Sequence, residues 1–479
     1  MKDYIEFLNS LSREQLVLTA ARQHAQENQG IAVVGMACRF PGGINDPGAF
    51  WAALCDERVV PAEPREAPPR WNPAAQDLSP FAGLLARGVH VEGVDLFEPE
   101  RFGIDEEEAR YLDPQQRLLL TCAQQALTDA GIGDTSGRRV GVYTGVSTVE
   151  FPFAHLRNGI GPDELSPYMG TGNALSATAA RIATGLRLNG PVLTVDTACS
   201  SALTAVHLAV PALRRGECDI AVVGACHLQL APFTSVVFDR AGMLSPTGRS
   251  RPFAKDADGH VRGEGCGVLV LKRLKDVTPD EPGPYAVIRG TALWQQGDRV
   301  AMTATPVAAQ RRVMADALRA ARVDPLDVRY VEAQANGSKL GGVIEAESTA
   351  AAYGREKPGA PPLYLGSCKA NLGYLETASG AASLMKVALA LSHGEIPAQP
   401  GFDLPDPDIA WDRLSIGVPR KRMPWPESAR RVAGVSSFGF TGTNAHVLME
   451  AATGAPPRSG SSSGPVAGRR LWPETHVWS

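Results

Sequence analysis

The stretch Val195-Asp196-Thr197-Ala198-Cys199-Ser200-Ser201-Ala202-Leu203 decides the fold that this sequence predicts. The apolar run Pro191-Val192-Leu193-Thr194 before it predicts a buried strand, and residues 202–210 after it predict a helix. A strand, a sharp turn and a helix place Cys199 at a helix N-terminus. Because unpaired N–H groups and the helix dipole favour negative charge there, we expect a lowered pKa for this thiol. The stretch therefore predicts a nucleophilic cysteine, the alternative being a buried and inert one.

The composition is that of an ordinary globular protein. The chain has 479 residues, of which 44% are hydrophobic and 20% charged, enough for two similar halves or two to three domains. A formal net charge of -4 gives no reason to expect nucleic acid or an anionic membrane as a partner. No apolar run reaches the ~18 residues of a membrane span, and the N-terminus lacks a signal peptide, so we expect a cytoplasmic protein.

The cysteines give no sign of a metal site or a disulfide framework. There are eight of them, they are scattered, and no two have the CxxC spacing. We therefore expect no structural metal. The polar loop at 255–259 lacks the later bidentate glutamate of a calcium-binding loop, which disfavours calcium as well.

Short apolar runs that predict strands alternate with runs that predict helices, the pattern of an α/β layered fold. A second α/β half begins near Tyr285, and regular structure ends near Glu450. The chain is thus predicted to contain an N-terminal helical leader, an N-terminal half with the nucleophile, a C-terminal half and a linker-like tail, at residues 1–29, 30–275, 276–450 and 451–479.

The two chain ends carry their own patterns. In the leader, Ser12 and Gln15 have capping-box spacing, and the helix is either a solvated leader or a docking or dimer-flanking element. The tail is rich in Gly, Pro, Ser and Ala, which is typical of a flexible linker. Its last residues, from Leu471 to Trp478, are expected to fold back onto the body because they include two tryptophans.

Several long motifs, in the right order over residues 30 to 450, resemble the ketosynthases of modular type I polyketide synthases, which have the thiolase fold. The motifs are Gly35-Met36-Ala37-Cys38-Arg39-Phe40-Pro41-Gly42-Gly43, Asp113-Pro114-Gln115-Gln116-Arg117, Asp196-Thr197-Ala198-Cys199-Ser200-Ser201, Asp258-Gly259-His260-Val261-Arg262-Gly263-Glu264-Gly265 and Ser436-Ser437-Phe438-Gly439-Phe440-Thr441-Gly442-Thr443-Asn444-Ala445-His446.

The resemblance implies a fold, a chemistry and partners. The fold is α/β, with two pseudo-repeated halves in a five-layered αβαβα arrangement, and the protein is a homodimer. Cys199 takes an acyl chain from the phosphopantetheine of an acyl carrier or peptidyl carrier protein, with no bound cofactor. The backbone N–H groups of Cys199 and Phe440 form an oxyanion hole, which a tetrahedral intermediate requires. Supporting positions are Glu345, Glu376, Asn371 and Thr441.

Two histidines of the family pattern are replaced. The family's Glu-Ala-His-Gly-Thr-Gly-Thr is Glu332-Ala333-Gln334-Ala335-Asn336-Gly337-Ser338 here, so Gln334 takes the place of one histidine. The family's Lys-x-Asn-x-Gly-His is Lys369-Ala370-Asn371-Leu372-Gly373-Tyr374, so Tyr374 takes the place of the other. Between them, the family's Gly-Asp-Pro-Ile-Glu is Gly341-Gly342-Val343-Ile344-Glu345.

These replacements predict a change of chemistry. In the family the two histidines hold the extender thioester and assist loss of CO2. Gln334 takes up no proton near neutral pH, and tyrosine has a reference pKa of ~10 against ~6.5 for histidine. Because a positioned acid–base group contributes roughly 10²–10⁴ in rate, decarboxylative condensation should be crippled while acyl transfer remains possible.

The whole pattern resembles the freestanding ketosynthase-like bicyclases that form the γ-lactam-β-lactone of salinosporamide-type products, and the chain ends soon after the fold closes. The implied substrate is a β-ketoacyl-aminoacyl thioester held on Cys199, cyclised by intramolecular aldol addition and released as a lactone. The alternatives are a transacylating non-elongating ketosynthase, a decarboxylative condensing ketosynthase and an inactive scaffold.

The base for such a step is open at this point. Tyr374 beside Lys369 is either partly activated or only a hydrogen-bond donor, and Glu345 and Glu376 are further candidates, with Glu376 more typical of a structural carboxylate. The histidines at 260, 446 and 207 are interpreted as structural, the last packed against a helix face.

Overall fold

One mixed eleven-stranded sheet runs through the protein in the computed structural model, which describes residues 2–60, 79–153, 163, 165–297, 306–428, 430–454, 458, 460 and 468–471. The strands of this sheet are β1 (Ile31–Arg39), β3 (Val140–Gly145), β4 (Val192–Val195), β5 (Ile220–His227), β6 (Gly265–Arg273), β7 (Ala286–Gln295), β8 (Val328–Glu332), β9 (Leu363–Gly366), β11 (Ile416–Gly417), β13 (Val432–Phe438) and β14 (Thr443–Ala451). Four short strands pair outside it: β2 (Leu96–Phe97) with β15 (Arg469–Arg470), and β10 (Glu395–Ile396) with β12 (Met423–Pro424).

Two sets of five strands in this sheet repeat one connectivity. Counted inward, the first set starts at the edge strand and runs β4-β3-β5-β6-β1, and the second starts next to the short edge strand β11 and runs β9-β8-β13-β14-β7. In both sets the first two contacts are parallel and the next two are antiparallel. The sets join where β1 pairs antiparallel with β7. This repeated order fits the predicted pair of pseudo-repeated α/β halves.

Helices cover both faces of the two strand sets. They are α1 (Lys2–Ser10), α2 (Arg13–Glu27), α3 (Pro47–Cys55), α4 (Ala82–Leu85), α5 (Glu106–Tyr111), α6 (Pro114–Asp129), α7 (Tyr168–Asn173), α8 (Leu175–Gly185), α9 (Ser201–Arg215), α10 (Phe233–Arg240), α11 (Val307–Ala321), α12 (Lys339–Ala352), α13 (Lys369–Leu372) and α14 (Ser379–His393). Among these described helices, none combines the length and the hydropathy that crossing a bilayer requires.

The central layer consists of α9 and α14. Every residue of α14 from Ser379 to Leu391 is buried, so this helix is enclosed on all its faces. One hydrophobic cluster joins α9 and α14 to side chains of both strand sets. A second cluster packs α6 and α8 on the first set, and a third packs α11 and α12 on the second. The resulting order of layers is αβαβα, as predicted from the thiolase-fold resemblance.

The strand before the nucleophile is not the buried strand that its apolar sequence predicts. Strand β4 lies at the edge of the sheet and pairs on one side with β3. The side chain of Leu193 is 46% exposed. An apolar run predicts burial by its composition, whereas its place at the edge is set by the order in which distant strands pair.

The N-terminal leader contains the predicted capping box at the start of α2. Ser12 and Gln15 form the predicted capping box, with Ser12 Oγ accepting from Gln15 N at 3.2 Å and Gln15 Oε1 accepting from Ser12 N at 2.8 Å. The predicted leader contains two helices, and α2 has no buried residue.

Two described residues of the predicted tail, Arg458 and Leu471, contact the N-terminal half. The Arg458 guanidinium donates to the backbone oxygens of Val34 and Asp129, each at 2.7 Å. Leu471 is buried, and its backbone oxygen accepts from Arg117 Nη1 at 2.6 Å. The two tryptophans expected to fold back, Trp472 and Trp478, lie outside the described residues.

A glycine substitution tests the packing of α6 on β1. A Cβ added to Gly35 would lie 2.2 Å from the backbone oxygen of Ala126 and 2.8 Å from the nitrogen of Ala130. We expect Gly35→Ala to lower the free energy of unfolding by about 1–3 kcal/mol, the usual range for overpacking. Urea unfolding followed by circular dichroism measures it. Gly133→Ala is the control, because a Cβ there meets nothing within 4 Å, and equal midpoints for the two variants would contradict the prediction.

Candidate active site

A strained turn after β4 presents Cys199. Ala198 begins the 3-10 turn Ala198–Ser200 with a φ of 54°, a left-handed conformation that non-glycine residues seldom adopt. The carboxylate of Asp196 holds the turn, accepting from the backbone N–H of Ala198 at 2.8 Å and from Ser147 Oγ at 2.5 Å. Helix α9 follows directly. The predicted strand, sharp turn and helix around Cys199 are thus all present.

Cys199 lines a cavity of about 580 Å³. The cavity reaches the surface, because two of its lining side chains are exposed, Leu340 by 70% and Phe440 by 45%. Of the predicted site residues, the cavity brings together Cys199, Gln334, Glu345, Tyr374, Glu376 and Phe440.

Three hydrogen-bond donors favour the thiolate of Cys199. They are the hydroxyl of Tyr374 and the backbone N–H groups of Phe440 and of Cys199 itself. Each donor lowers the pKa of the thiol, but burial raises it by more, so the net pKa is above its ordinary value. The lowered pKa expected from the helix N-terminus is therefore wrong, because the site is more strongly desolvated than a helix terminus at the surface. Cys199 rests as a neutral thiol near pH 7.

Gln334 and Tyr374 continue this set of donors as a chain of hydrogen bonds. Gln334 Nε2 donates to the Tyr374 hydroxyl at 3.1 Å, and Gln334 Oε1 accepts from Ser437 Oγ at 3.2 Å. The single hydroxyl hydrogen of Ser437 is shared with the backbone oxygen of Cys199, which lies 2.7 Å from Ser437 Oγ. The chain therefore begins and ends at the nucleophile, and it fixes the orientation of the two side chains that replace the family's histidines.

Tyr374 is a neutral donor. Burial raises its pKa well above the ordinary value, and its contact with Cys199 raises it further. Lys369 does not activate it, because the Lys369 ammonium donates to the backbone oxygen of Ala333 at 3.2 Å and does not line the cavity. Of the two interpretations of Tyr374, hydrogen-bond donation is the one that its surroundings favour.

The two carboxylates of the cavity differ in protonation. Glu345 is buried, and burial raises its pKa to about 7 although its oxygens accept from the backbone N–H groups of Gln334 and Ala335 at 2.8 and 2.7 Å. Burial also acts on Glu376, but Arg262 and His227 outweigh it and hold the pKa of this carboxylate far below its usual range. Glu376 is therefore a fixed negative charge, and Glu345 titrates near neutral pH.

Two predicted supporting residues lie away from the cavity lining. Asn371 Nδ2 donates to the backbone oxygen of Arg58 at 3.0 Å, which ties α13 to the segment after α3. Thr441 contributes its backbone oxygen to Gln295 Nε2 at 3.1 Å, next to Phe440. Both positions hold backbone segments that border the site.

Several cavity residues were not found from the sequence, namely Phe238, Met243, Gln310 and, as a site residue, His260. The ring of His260 meets that of Tyr374 edge to face, with centroids 5.1 Å apart, and burial lowers its pKa to about 4. The interpretation of His260 as purely structural was therefore incomplete. The motif around it gave no signal of this, because the loop approaches the site only in the folded chain.

Of the other two histidines interpreted as structural, His446 is buried and His207 is half-buried. His446 is fully buried between the Tyr353 hydroxyl at 2.6 Å and Ser436 Oγ at 3.0 Å, which confirms its structural role. His207 bonds through Nδ1 to Thr291 Oγ1 of β7 at 2.8 Å, a strand and not the helix face that was predicted. In the part of the chain that the structure describes, no group of three or more His, Cys, Asp or Glu residues is arranged to hold a metal ion.

Comparison with protein families gives three adjoining matches. Residues 28–277 match the family described as "Beta-ketoacyl synthase, N-terminal domain", and residues 285–403 match "Beta-ketoacyl synthase, C-terminal domain". Residues 405–473 match "Ketoacyl-synthetase C-terminal extension".

Similar curated proteins are polyketide synthases. One protein of the phenolphthiocerol/phthiocerol polyketide synthase of Mycobacterium tuberculosis is 44% identical over 430 residues, which cover 88% of this chain and 23% of that protein. Erythronolide synthase EryA3 of Saccharopolyspora erythraea is 42% identical over 455 residues, which cover 94% of this chain and 14% of that protein. The chain thus spans less than a quarter of the length of these relatives.

Similar solved structures are ketosynthases. The ketosynthase from module 6 of the bacillaene synthase of Bacillus subtilis 168 superposes with a TM-score of 0.78 at 33% identity, covering 88% of this chain and 72% of that one. The oxazolomycin ketosynthase domain OzmH KS7 of Streptomyces albus JA3453 gives a TM-score of 0.79 at 30% identity, covering 88% and 75%.

Removing one donor tests the hydrogen bond from Tyr374 to Cys199. Tyr374→Phe deletes a contact that lowers the pKa of the thiol, so this pKa should rise and alkylation at pH 8 should slow. Below the pKa, the rate increases about tenfold per pH unit with the thiolate fraction. Iodoacetamide labelling of the Cys199 peptide across pH 7–10, followed by mass spectrometry, gives the profile. Tyr364→Phe, outside the cavity lining, should leave it unchanged; coinciding profiles for all three proteins would count against the contact.

Proposed function

This chain belongs to the β-ketoacyl synthase family, and we propose that it takes a β-ketoacyl-aminoacyl chain onto Cys199 and cyclises it without loss of CO2. Ketosynthases of polyketide synthases act on acyl thioesters carried by the phosphopantetheine of a carrier protein, and they use no bound cofactor of their own. The partner proposed here is accordingly an acyl carrier or peptidyl carrier protein.

Acyl transfer is the step supported by the donors around the sulfur. The thiolate of Cys199 attacks the thioester carbonyl, and the backbone N–H groups of Cys199 and Phe440 receive the developing oxyanion. The pantetheine thiolate then leaves, and the proton lost from the Cys199 thiol passes to it. Fixed backbone donors need no reorganisation during this step, so they stabilise charge that appears only in the transition state.

One observation carries the non-decarboxylative part of the proposal. Beside Cys199, the positions of the two family histidines hold neutral donors, Tyr374 and Gln334, and the same cavity contains Glu345 with a pKa of about 7. A base that titrates near the working pH, together with neutral donors for an enolate oxygen, suits removal of a carbon-bound proton.

The reaction then balances without loss of CO2 and without water. Glu345 takes the proton from the amino-acid α-carbon of the acyl-Cys199 chain, and Tyr374 and Gln334 donate to the enolate oxygen. The α-carbon attacks the β-ketone, closing the γ-lactam and leaving an alkoxide. This alkoxide attacks the thioester, closes the β-lactone and expels the Cys199 thiolate, to which Glu345 returns its proton.

A homodimer is part of the proposal. Strand β4 lies at the edge of the sheet, its Leu193 is 46% exposed, and the elbow of Cys199 follows directly. An exposed apolar edge strand is a surface on which a second copy can extend the sheet. The role of Lys369 is proposed to be positioning, since it holds the backbone of Ala333 next to Gln334.

Thioesters bound to a carrier protein, first an acyl and then a malonyl thioester, give the first test. Wild-type protein incubated with an acylated carrier should gain the acyl mass on Cys199, and Cys199→Ala should not. With a malonyl carrier, release of CO2 should stay at the level of Cys199→Ala, because Gln334 and Tyr374 replace the two histidines that assist loss of CO2 in the family. Intact mass spectrometry and a CO2 assay measure the two outcomes.

The alternatives make different predictions in the same assay. Robust CO2 release would favour a condensing ketosynthase and contradict the proposal. Passage of the acyl chain to a second carrier without cyclisation would favour a transacylating one. Absence of any acyl adduct from every carrier tried would favour a scaffold.

Glu345 gives the second test. The carboxylate form is needed to accept the proton, and its pKa is about 7, so the rate of cyclisation should fall as the pH drops below about 7 and level off above it. Glu345→Gln should lower this rate by roughly 10²–10⁴ while Cys199 is still acylated. Single-turnover assays from pH 5.5 to 8.5 give the profile. Glu347→Gln, on the same helix and outside the cavity lining, is the control, and a variant at Glu345 that cyclises at the wild-type rate would exclude it as the base.

A further inference from the structure

Gln310 is a buried amide that lines the cavity of Cys199. It lies in the first turns of α11, and its residue surface is 4% exposed. Its Oε1 atom is buried and has no hydrogen-bond partner among the described residues. An unpaired buried carbonyl of this kind is costly, and most such groups in folded proteins have a partner.

The other described residues that line the cavity supply no hydrogen-bond partner for Gln310 Oε1. Much of the lining around the cavity is apolar, formed by Phe238, Met243, Leu340, Ile344, Phe438 and Phe440. The two other carboxamides in the lining do not pair with Gln310 Oε1: Gln334 Nε2 donates to the Tyr374 hydroxyl at 3.1 Å, and Asn336 Oδ1 accepts from the backbone N–H of Ser338 at 3.1 Å. A polar group set in an apolar pocket fixes the orientation of a ligand and selects among ligands.

We propose that Gln310 binds an amide group within the acyl chain carried on Cys199, and so selects aminoacyl over purely carbon chains. A secondary amide is trans, so its N–H and its carbonyl point to opposite sides, and the N–H is the group that donates to Oε1 of Gln310. The inference rests on the proposed function in one respect, that the acyl chain on Cys199 occupies this cavity. It concerns the acylation of Cys199 and not the later ring closure.

The proposed hydrogen bond also predicts which acyl chains the site disfavours. A chain in which an ester oxygen replaces the amide N–H has the same length and nearly the same shape, but it leaves Oε1 without a donor. A site with a buried hydrogen-bonding group discriminates against an analogue that leaves this group unpaired. The amide and ester chains therefore form a matched pair of probes.

The experiment combines two substrates with two proteins. N-acetylcysteamine thioesters of an N-acyl aminoacyl chain and of the matching ester chain are used, and the rate of Cys199 acylation is measured by intact mass. The wild type should prefer the amide roughly tenfold in kcat/KM, the effect of one net hydrogen bond. Gln310→Met, which keeps the length of the side chain but not its hydrogen bonds, should bring the ratio to within about twofold while the ester rate is retained.

Two further variants complete the test. Gln310→Asn keeps the carboxamide but withdraws it by one methylene, and it should also lose most of the preference; it serves if Gln310→Met does not fold. Gln23→Met on the exposed helix α2 should keep the wild-type ratio. A wild type that acylates both chains equally, or a preference that survives in both Gln310 variants, would overturn the inference. Because acylation is measured before cyclisation, a preference for the amide without ring closure would support this inference and contradict the cyclase proposal.

Discussion

The close contact between α9 and α14 is the constraint on which the rest of the structure depends. A Cβ on Gly380 would lie 2.5 Å from the Leu203 side chain and 2.9 Å from that of Ala202, so the two helices approach at the turn that follows the nucleophile. Only a glycine permits this distance. The two strand sets pack on either side of this helix pair, and the position of Cys199 relative to the second half follows from it.

From this contact the site receives groups from both halves of the molecule. The first half supplies the strained turn and its sulfur, and the second half supplies Ser437, Gln334, Tyr374 and the N–H group of Phe440. The hydrogen bond from Ser437 to the backbone oxygen of Cys199 joins the two sides directly. Small displacements of one half against the other would therefore break several donor contacts at once, because these are hydrogen bonds of fixed length.

The electrostatics of the site follow from its depth. Burial raises the pKa values of Cys199, Tyr374 and Glu345 and lowers that of His260, so all four are driven towards their neutral forms. Glu376 is the exception, because its contacts with Arg262 and His227 hold the pKa of this carboxylate far below its usual range. A cavity of mostly neutral donors with one carboxyl group near its titration point differs from one with paired imidazoles, and this difference is the basis on which cyclisation without loss of CO2 is proposed.

The sequence by itself determined the layered α/β fold, the turn that presents Cys199 and the two positions where Gln334 and Tyr374 replace histidine, because each is written in a local run of residues. The tertiary structure alone decided that β4 lies at an edge of the sheet and that burial raises the pKa of Cys199 by more than its donors lower it. It also decided that Lys369 bonds to the backbone of Ala333, and that His260 and Gln310 line the cavity. Burial and side-chain neighbours arise from segments far apart in the chain, and no local pattern specifies which of them meet.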